Sequence, residues 1–211
     1  VTKTALAMSP KILFLQQFLR HPRMVGSVIP TSGTAINALL DPVSWHDVKC
    51  VVEYGPGTGV FTRGILKRMP REARLIAIDT NPLFIEHLRD TIGDERLICV
   101  EGSAADVEAI LQSHGCDAAD YIISGLPFST LPPPVAEQIA RATANAIHSG
   151  GSFLVYQYSR FVQPLLDRNF SSVRSAMVWR CVPPARLFWA RKKADRLNAQ
   201  TVSVGESLAA E

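Results

Sequence analysis

Cys50-Val51-Val52-Glu53-Tyr54-Gly55-Pro56-Gly57-Thr58-Gly59 is the stretch on which the fold turns. Its first half is apolar apart from Glu53, as expected for a strand covered on both faces. Its second half has glycine at alternate positions, so the backbone can turn sharply and a ligand can approach the main chain closely. A helical pattern follows over 60–69, with Pro70 beyond it. Strand, glycine turn and helix in this order open a nucleotide-binding βαβ unit.

The alternation continues outward. A second strand is predicted over 74–78, closing on Asp79; Asn81 caps and Pro82 opens a helix to about Ile92. Strands are expected over 97–100, 121–123 and 153–156, with helices near 105–112, 133–147 and 161–168. Two apolar runs, 176–182 and 185–190, flank Pro183-Pro184 and read as a closing strand pair. The expected fold is therefore α/β and Rossmann-like, a mostly parallel seven-stranded sheet with helices on both faces. Upstream, Ile12, Leu13, Phe14, Leu15, Phe18 and Leu19 form an apolar helical stripe, and Thr31 or Ser32 caps a short helix through Leu40. Residues 1–48 are expected to form an N-terminal helical segment and 49–193 the ligand-binding domain. The tail, 194–211, lacks aromatics and is expected to fray.

The 211 residues are 47% hydrophobic and 19% charged, the composition of an ordinary soluble domain. No apolar run reaches the roughly 20 residues of a membrane span. Lys11 and Gln16-Gln17 interrupt the N-terminal apolar stretch, which argues against a secretory signal. Net charge is +3, too little for the whole molecule to bind nucleic acid. Its distribution is uneven: Lys3, Lys11, Arg20 and Arg23 precede the first acid, Asp41, and Arg180, Arg186, Arg191, Lys192, Lys193 and Arg196 crowd the other end. Cys50, Cys99, Cys116 and Cys181 lack metal or CxxC spacing, so free thiols in a reducing cytoplasm are expected. The histidines do not cluster, so no metal is expected, and surface placement without partners is the default for each.

Glu53 narrows the ligand. A carboxylate ahead of the glycine turn would repel a pyrophosphate and suit a cation, and no Lys-Ser/Thr follows to cradle a triphosphate. The sulfonium and ammonium groups of S-adenosylmethionine fit. Asp79, with Thr80 beside it, can accept from ribose hydroxyls; a helix-capping role is the alternative. The third strand ends at Glu101-Gly102-Ser103-Ala104, where adenine would lie.

These residues resemble the class I S-adenosylmethionine-dependent methyltransferases. The resemblance implies that Glu53, Gly55, Gly57 and Gly59 contact the methionine part and Asp79 the ribose. Ser103 stands where many members carry an acid facing the adenine amine, and the backbone of Ala104 can supply a contact instead. Ser124-Gly125-Leu126-Pro127-Phe128 is similar to the motif of rRNA adenine dimethylases, in which a side chain and a carbonyl accept amine hydrogens and an aromatic ring stacks the base. Gly125 removes the side-chain acceptor. Together with Gly26-Ser27-Val28-Ile29-Pro30-Thr31-Ser32, this version is similar to the bacterial phospholipid N-methyltransferase family, which converts phosphatidylethanolamine stepwise to phosphatidylcholine; a related class methylates ornithine lipids.

That resemblance implies that 26–32, with Ser27 and Ser32, folds over the cofactor beside Gly125 and Leu126, and that Pro127 and Phe128 face the substrate. It also implies that the preceding helix meets the membrane through Lys11, Phe14, Leu15, Phe18 and Arg20. Apolar residues flanked by basic ones suit a bilayer interface, with packing on the domain's own core as the alternative. Tyr156 and Tyr158 can orient an amine or contact its methylated cation. Arg160, Arg180 and Arg186 can hold a lipid phosphate by forked hydrogen bonds. The expected partners are an anionic membrane and its phospholipid, without nucleic acid, for a monomer at the inner face of the cell membrane. An RNA-base or small-molecule methyltransferase, and a non-catalytic binding protein that keeps the cofactor fold, are the other readings.

Overall fold

A computed structural model describes residues 33–180 and 184–193. A helix over Gly33–Leu40 (α1) leads into β1 (Cys50–Tyr54), α2 (Val60–Leu66), β2 (Arg74–Asp79), α3 (Pro82–Thr91) and β3 (Leu97–Glu101). There follow α4 (Val107–Ser113), β4 (Ala119–Ser124), α5 (Pro133–Ala146), β5 (Ile147–Gln157), α6 (Gln163–Asn169), β6 (Ser172–Val178) and β7 (Ala185–Arg191). Single 3-10 turns occupy Ala104–Asp106 and Phe128–Thr130.

The strands form one sheet in the order β3-β2-β1-β4-β5-β7-β6. β1 to β5 run parallel, and β7 inserts antiparallel between β5 and β6. The chain winds one way from β1 to β3 and the other way from β4, so β1 and β4 flank the switch point where α/β sheets bind ligands. Alternation along each strand sorts the core. Val52, Tyr54, Ile122, Phe153 and Val155 face α4, α5 and α6, while Val51, Leu75, Ile123, Leu154 and Tyr156 share the other layer with α1 and α2. This is the expected fold.

Several boundaries differ from expectation. α2 stops at Leu66, because the Arg96 guanidinium takes up the carbonyls of Leu66, Met69 and Pro70. β5 starts at Ile147 and runs through Gly150-Gly151. A Cβ at Gly151 would lie 2.5 Å from Asp120 O, so only glycine lets the strands meet at this register shift. β6 begins at Ser172, where exposed Arg174 and Ser175 hide an edge strand from an apolar-run reading.

The expected boundary at residue 48 is not a break in packing for the part described. Ala35, Ile36, Leu39 and Leu40 of α1 are buried in the core, and Trp189 donates to Leu39 O at 3.0 Å. The 10–20 helix, residues 26–32 and the 194–211 tail lie outside the described residues. Cys50, Cys99 and Cys116 are free thiols, and burial raises the pKa of Cys50. His148 departs from expectation: its Nε2 lies 2.8 Å from Asp120 Oδ1, while Asp120 Oδ2 accepts from the Lys49 and Cys50 N–H groups.

Candidate active site

Loops after β1, β2, β3, β4 and β5 converge at the carboxyl edge of the sheet. Gly55 N–H donates to Ile78 O at 2.9 Å, Gly125 N–H to Tyr54 O at 3.1 Å, and Gly102 N–H to Asp79 O at 3.0 Å. Each bond ties one loop to the neighbouring strand. The glycine turn is held in the left-handed region, with φ of +55° at Gly57 and +78° at Gly59. Nothing lies within 4 Å of a Cβ at Gly57, whereas one at Gly59 would meet Arg63 Nη1 and Ile92 Cδ1 at 2.9 Å. Arg63 fixes the turn from below, donating to Thr58 O and Gly59 O.

Glu53 is 2% exposed, its side chain turned toward α2, where the Thr62 hydroxyl donates to Oε2 at 2.7 Å. Burial pushes its carboxyl up to about 7, against the hydrogen bonds from Thr62; the nearby Asp79 carboxylate pushes the same way. Asp79 is also raised by burial, opposed by backbone N–H groups of Asn81, Gly57 and Thr80. Its Oδ1 accepts the Asn81 N–H at 2.9 Å, so the capping alternative describes a real contact, though the helix cap itself is Asn81. Neither acid forms an ion pair among the described residues. A buried and a partly buried carboxylate, neither ion-paired among the described residues, form a set of acceptors suited to a cationic ligand.

Beside Asp79 and Thr80 a cavity of about 130 Å³ is lined by Gly102, Ser103 and Ala104 on one side and by Leu126, Leu131, Val135 and Ile139 on the other. A complete small-molecule site is roughly 300–1,000 Å³, so this holds one part of a ligand, between apolar walls. Ser103 Oγ accepts the Ala105 N–H at 3.1 Å and caps the following turn.

The Gly125-Leu126-Pro127 loop is tied to β5. Leu126 O accepts the Phe128 N–H at 2.9 Å and also the Gln157 side-chain amide. Phe128 corrects an expectation: its ring is fully buried against Phe153, at 6.4 Å between centroids, and does not face the cleft. Pro127, half-buried, opens the 3-10 turn that directs the ring inward. Tyr156 and Tyr158 come together, their hydroxyls 2.7 Å apart. Tyr156 packs edge-on against Phe61, just beyond the glycine turn, and Tyr158 is partly exposed. Arg160 and Arg180 are exposed and Arg186 half-buried, all on this edge, because Arg186 pairs with Gln157 at the end of β5. Ser27, Ser32, Lys11, Phe14, Leu15, Phe18 and Arg20 lie outside the described residues.

Thr62, Arg63, Gln157, Leu131, Val135 and Ile139 were not anticipated. A hydroxyl nine residues after Glu53, within the helix that follows the glycine turn, is the one signal in the sequence that could have pointed to Thr62.

Residues 51–151 match the methyltransferase domain family. An ornithine lipid N-methyltransferase from Singulisphaera acidiphila is 29% identical over 185 residues, spanning 85% of this chain and 94% of that protein. Among solved structures, the N-methyltransferase NodS of Bradyrhizobium japonicum WM9 in complex with S-adenosyl-L-homocysteine superposes with a TM-score of 0.65 at 15% identity, over 87% of this chain and 99% of that one. A T. thermophilus 16S rRNA N2 methyltransferase in complex with AdoMet and guanosine gives 0.61 at 20% identity, over 80% of this chain and 44% of that one. An O-methyltransferase family protein from Burkholderia thailandensis gives 0.62 at 12% identity over 88% of this chain, which spans 60% of that protein.

Strand order and the glycine turn are those of the class I S-adenosylmethionine-dependent methyltransferase fold, and the match over 51–151 is to a methyltransferase domain. Among the described residues no helix is long and apolar enough to cross a membrane.

Proposed function

We propose that the protein methylates the amine of a membrane lipid head group, carrying phosphatidylethanolamine toward phosphatidylcholine, with ornithine lipid as the alternative substrate. The observation that carries this reading is the state of the loop after β4. Gly125 offers no side-chain acceptor, Leu126 O already takes two hydrogen bonds, and the Phe128 ring is in the core. A planar base amine finds neither clamp nor stacking ring there. A flexible aliphatic amine requires neither. The likeness to an ornithine lipid N-methyltransferase supports the same class.

In this reading Glu53 receives the ammonium end of the cofactor over the turn of Gly55, Gly57 and Gly59. Asp79 with Thr80 receives the ribose, and Gly102, Ser103 and Ala104 face the adenine across Leu126. Bound S-adenosylmethionine supplies a methyl on its sulfonium, and transfer replaces an amine N–H by N–CH3 with release of the proton. The protein's task is alignment and desolvation. Freeing a lysine-like amine of its proton at pH 7 costs about 4 kcal/mol, which burial beside a positive sulfonium reduces. The joined hydroxyls of Tyr156 and Tyr158 orient the amine. Arg160, Arg180 and Arg186 hold the phosphate where the head group has one. The reaction takes place at the inner face of the cell membrane, with the N-terminal Lys11, Phe14, Leu15, Phe18 and Arg20 as a membrane contact.

The test is methyl transfer to vesicles of phosphatidylglycerol containing either phosphatidylethanolamine or ornithine lipid, with lipid products read by mass spectrometry. Transfer to one identifies the head group; transfer to neither, by protein that binds S-adenosylmethionine, sinks the reading.

A further inference from the structure

Exposed large apolar side chains among the described residues are Val60, Val135, Tyr158, Phe161 and Trp179, and all lie at one end of the molecule. Val60 opens α2 after β1, and Val135 stands in the first turn of α5 after β4. Tyr158 and Phe161 follow β5. Trp179 follows β6, whose last residue, Val178, pairs with Ala185 beside the Arg186–Gln157 pair at the end of β5. Every one is therefore on the carboxyl edge of the parallel strands, around the mouth of the cofactor cleft. Trp179 is 75% exposed and Phe161 50%, unusual for side chains of this size.

Charge on the part of this rim that carries Phe161 and Trp179 has one sign. The stretches 55–63, 125–136 and 158–166, with 179–180 and 184–186, contain no Asp or Glu, and they carry Arg63, Arg160, Arg180 and Arg186. Of the acids of this edge, Glu53 and Asp79 are inside the cleft, Glu101, Asp106 and Glu108 lie at and after the end of β3, at the opposite side of the sheet from β6, and Glu137 is paired with Arg168. The opposite edge is mixed, with Asp47, Glu72, Asp94, Glu95 and Asp117 among its basic residues. Helix α1 points the same way: Arg68, beyond the end of α2, bonds Asn37 and Asp41 at its far end, which leaves Gly33 toward the rim.

Aromatic side chains with an apolar body suit the headgroup level of a bilayer, and arginine suits the phosphates just above it. We propose that this rim docks on an anionic bilayer, with Trp179 and Phe161 seated at headgroup level and Arg160, Arg180 and Arg186 on lipid phosphates, so that the cleft opens directly onto the membrane. The inference rests on the lipid-amine reading above and adds the surface and orientation by which the chain reaches its substrate. The acid-free, arginine-bearing stretches around Phe161 and Trp179 disfavour a basic protein partner and match an anionic one, for which a bilayer containing phosphatidylglycerol is the probe.

The experiment uses the full chain, a double variant Trp179→Ala/Phe161→Ala, and the variant Trp179→Phe as a spectroscopic control. Both positions are solvent-exposed and outside the cofactor site, so unchanged S-adenosylmethionine affinity reports intact folding. Vesicles of phosphatidylcholine with phosphatidylglycerol should shift the tryptophan emission to the blue and shield it from iodide, and both effects should vanish in Trp179→Phe. The double variant should bind these vesicles at least about tenfold more weakly. Wild-type vesicle affinity in the double variant, or iodide access to Trp179 unchanged by vesicles, overturns the inference. So does a wild-type dimer that the double variant abolishes without change in vesicle affinity, because the rim would then cover a second copy. Rim-dependent vesicle binding without methyl transfer to any lipid amine leaves the rim standing and removes the substrate reading; transfer with rim-independent binding does the reverse.

Discussion

The Thr62 hydroxyl donates to Glu53 Oε2 at 2.7 Å, and both side chains are shut off from water. That bond is what the fold offers a buried carboxylate in place of solvent. It offsets only part of the desolvation, so the carboxyl titrates at about 7.

Cofactor affinity should therefore depend on pH. A cationic ligand favours ionised Glu53 and lowers its pKa on binding, so binding releases a proton near neutrality and weakens as pH falls below about 7, by up to about tenfold per unit. Calorimetry in buffers of different ionisation enthalpy counts that proton. No proton release and a flat affinity would exclude Glu53 as the counter-charge.

Stability has the opposite sign. Glu53 is raised above its ordinary value of 4.5, so the folded apoprotein binds the proton more tightly than the unfolded chain. This destabilises the apoprotein above pH 7 and is relieved as pH falls toward 4.5. Glu53→Gln keeps an acceptor for Thr62 and removes the buried charge. At pH 8 the variant should unfold at a higher temperature, by on the order of 2 kcal/mol, while S-adenosylmethionine affinity drops at least about tenfold. Thermal denaturation and titration of one preparation check both halves.

Thr62→Val deletes the hydroxyl at nearly constant volume. Losing a hydrogen bond to an ionised group is worth about 1.5–3 kcal/mol, so the carboxyl should titrate still higher. Affinity at pH 7 should fall about tenfold and recover at pH 9. A loss that persists at high pH would show that Thr62 acts by packing instead.

Gly59→Ala places a Cβ at φ +78°, 2.9 Å from Arg63 Nη1 and Ile92 Cδ1. The variant should lose about 1–3 kcal/mol of stability and most of its cofactor affinity. Gly57→Ala has the same backbone strain and open space around it, so it should lose affinity with a smaller shift in melting temperature.

Tyr158→Phe removes one of two hydroxyls 2.7 Å apart at the end of β5. With Tyr158 partly exposed, stability should hardly change. Turnover on the lipid amine should fall about tenfold with cofactor affinity intact, as expected for a residue that orients the amine. Equal loss of cofactor affinity would place it at the other ligand.

The sequence alone determined the sheet, because continuous apolar strands, glycine turns and helical periods repeat at short range. It also placed Glu53 and Asp79 at strand ends, since a polar residue closing an apolar run has one place to go. Tertiary structure decided what those ends meet. Thr62 faces Glu53 because α2 folds back over β1, and Gln157 reaches Leu126 O across β4 and β5, 31 residues apart in sequence. Phe128 reads as a substrate-facing ring until the 3-10 turn sends it into the core against Phe153. The grouping of Trp179 with Phe161, Val60 and Val135 was equally out of reach, since their loops are joined only by strand order. Local pattern records the period of each element; which side chains share a cleft or a rim depends on long-range register, and one sequence read in order does not carry it.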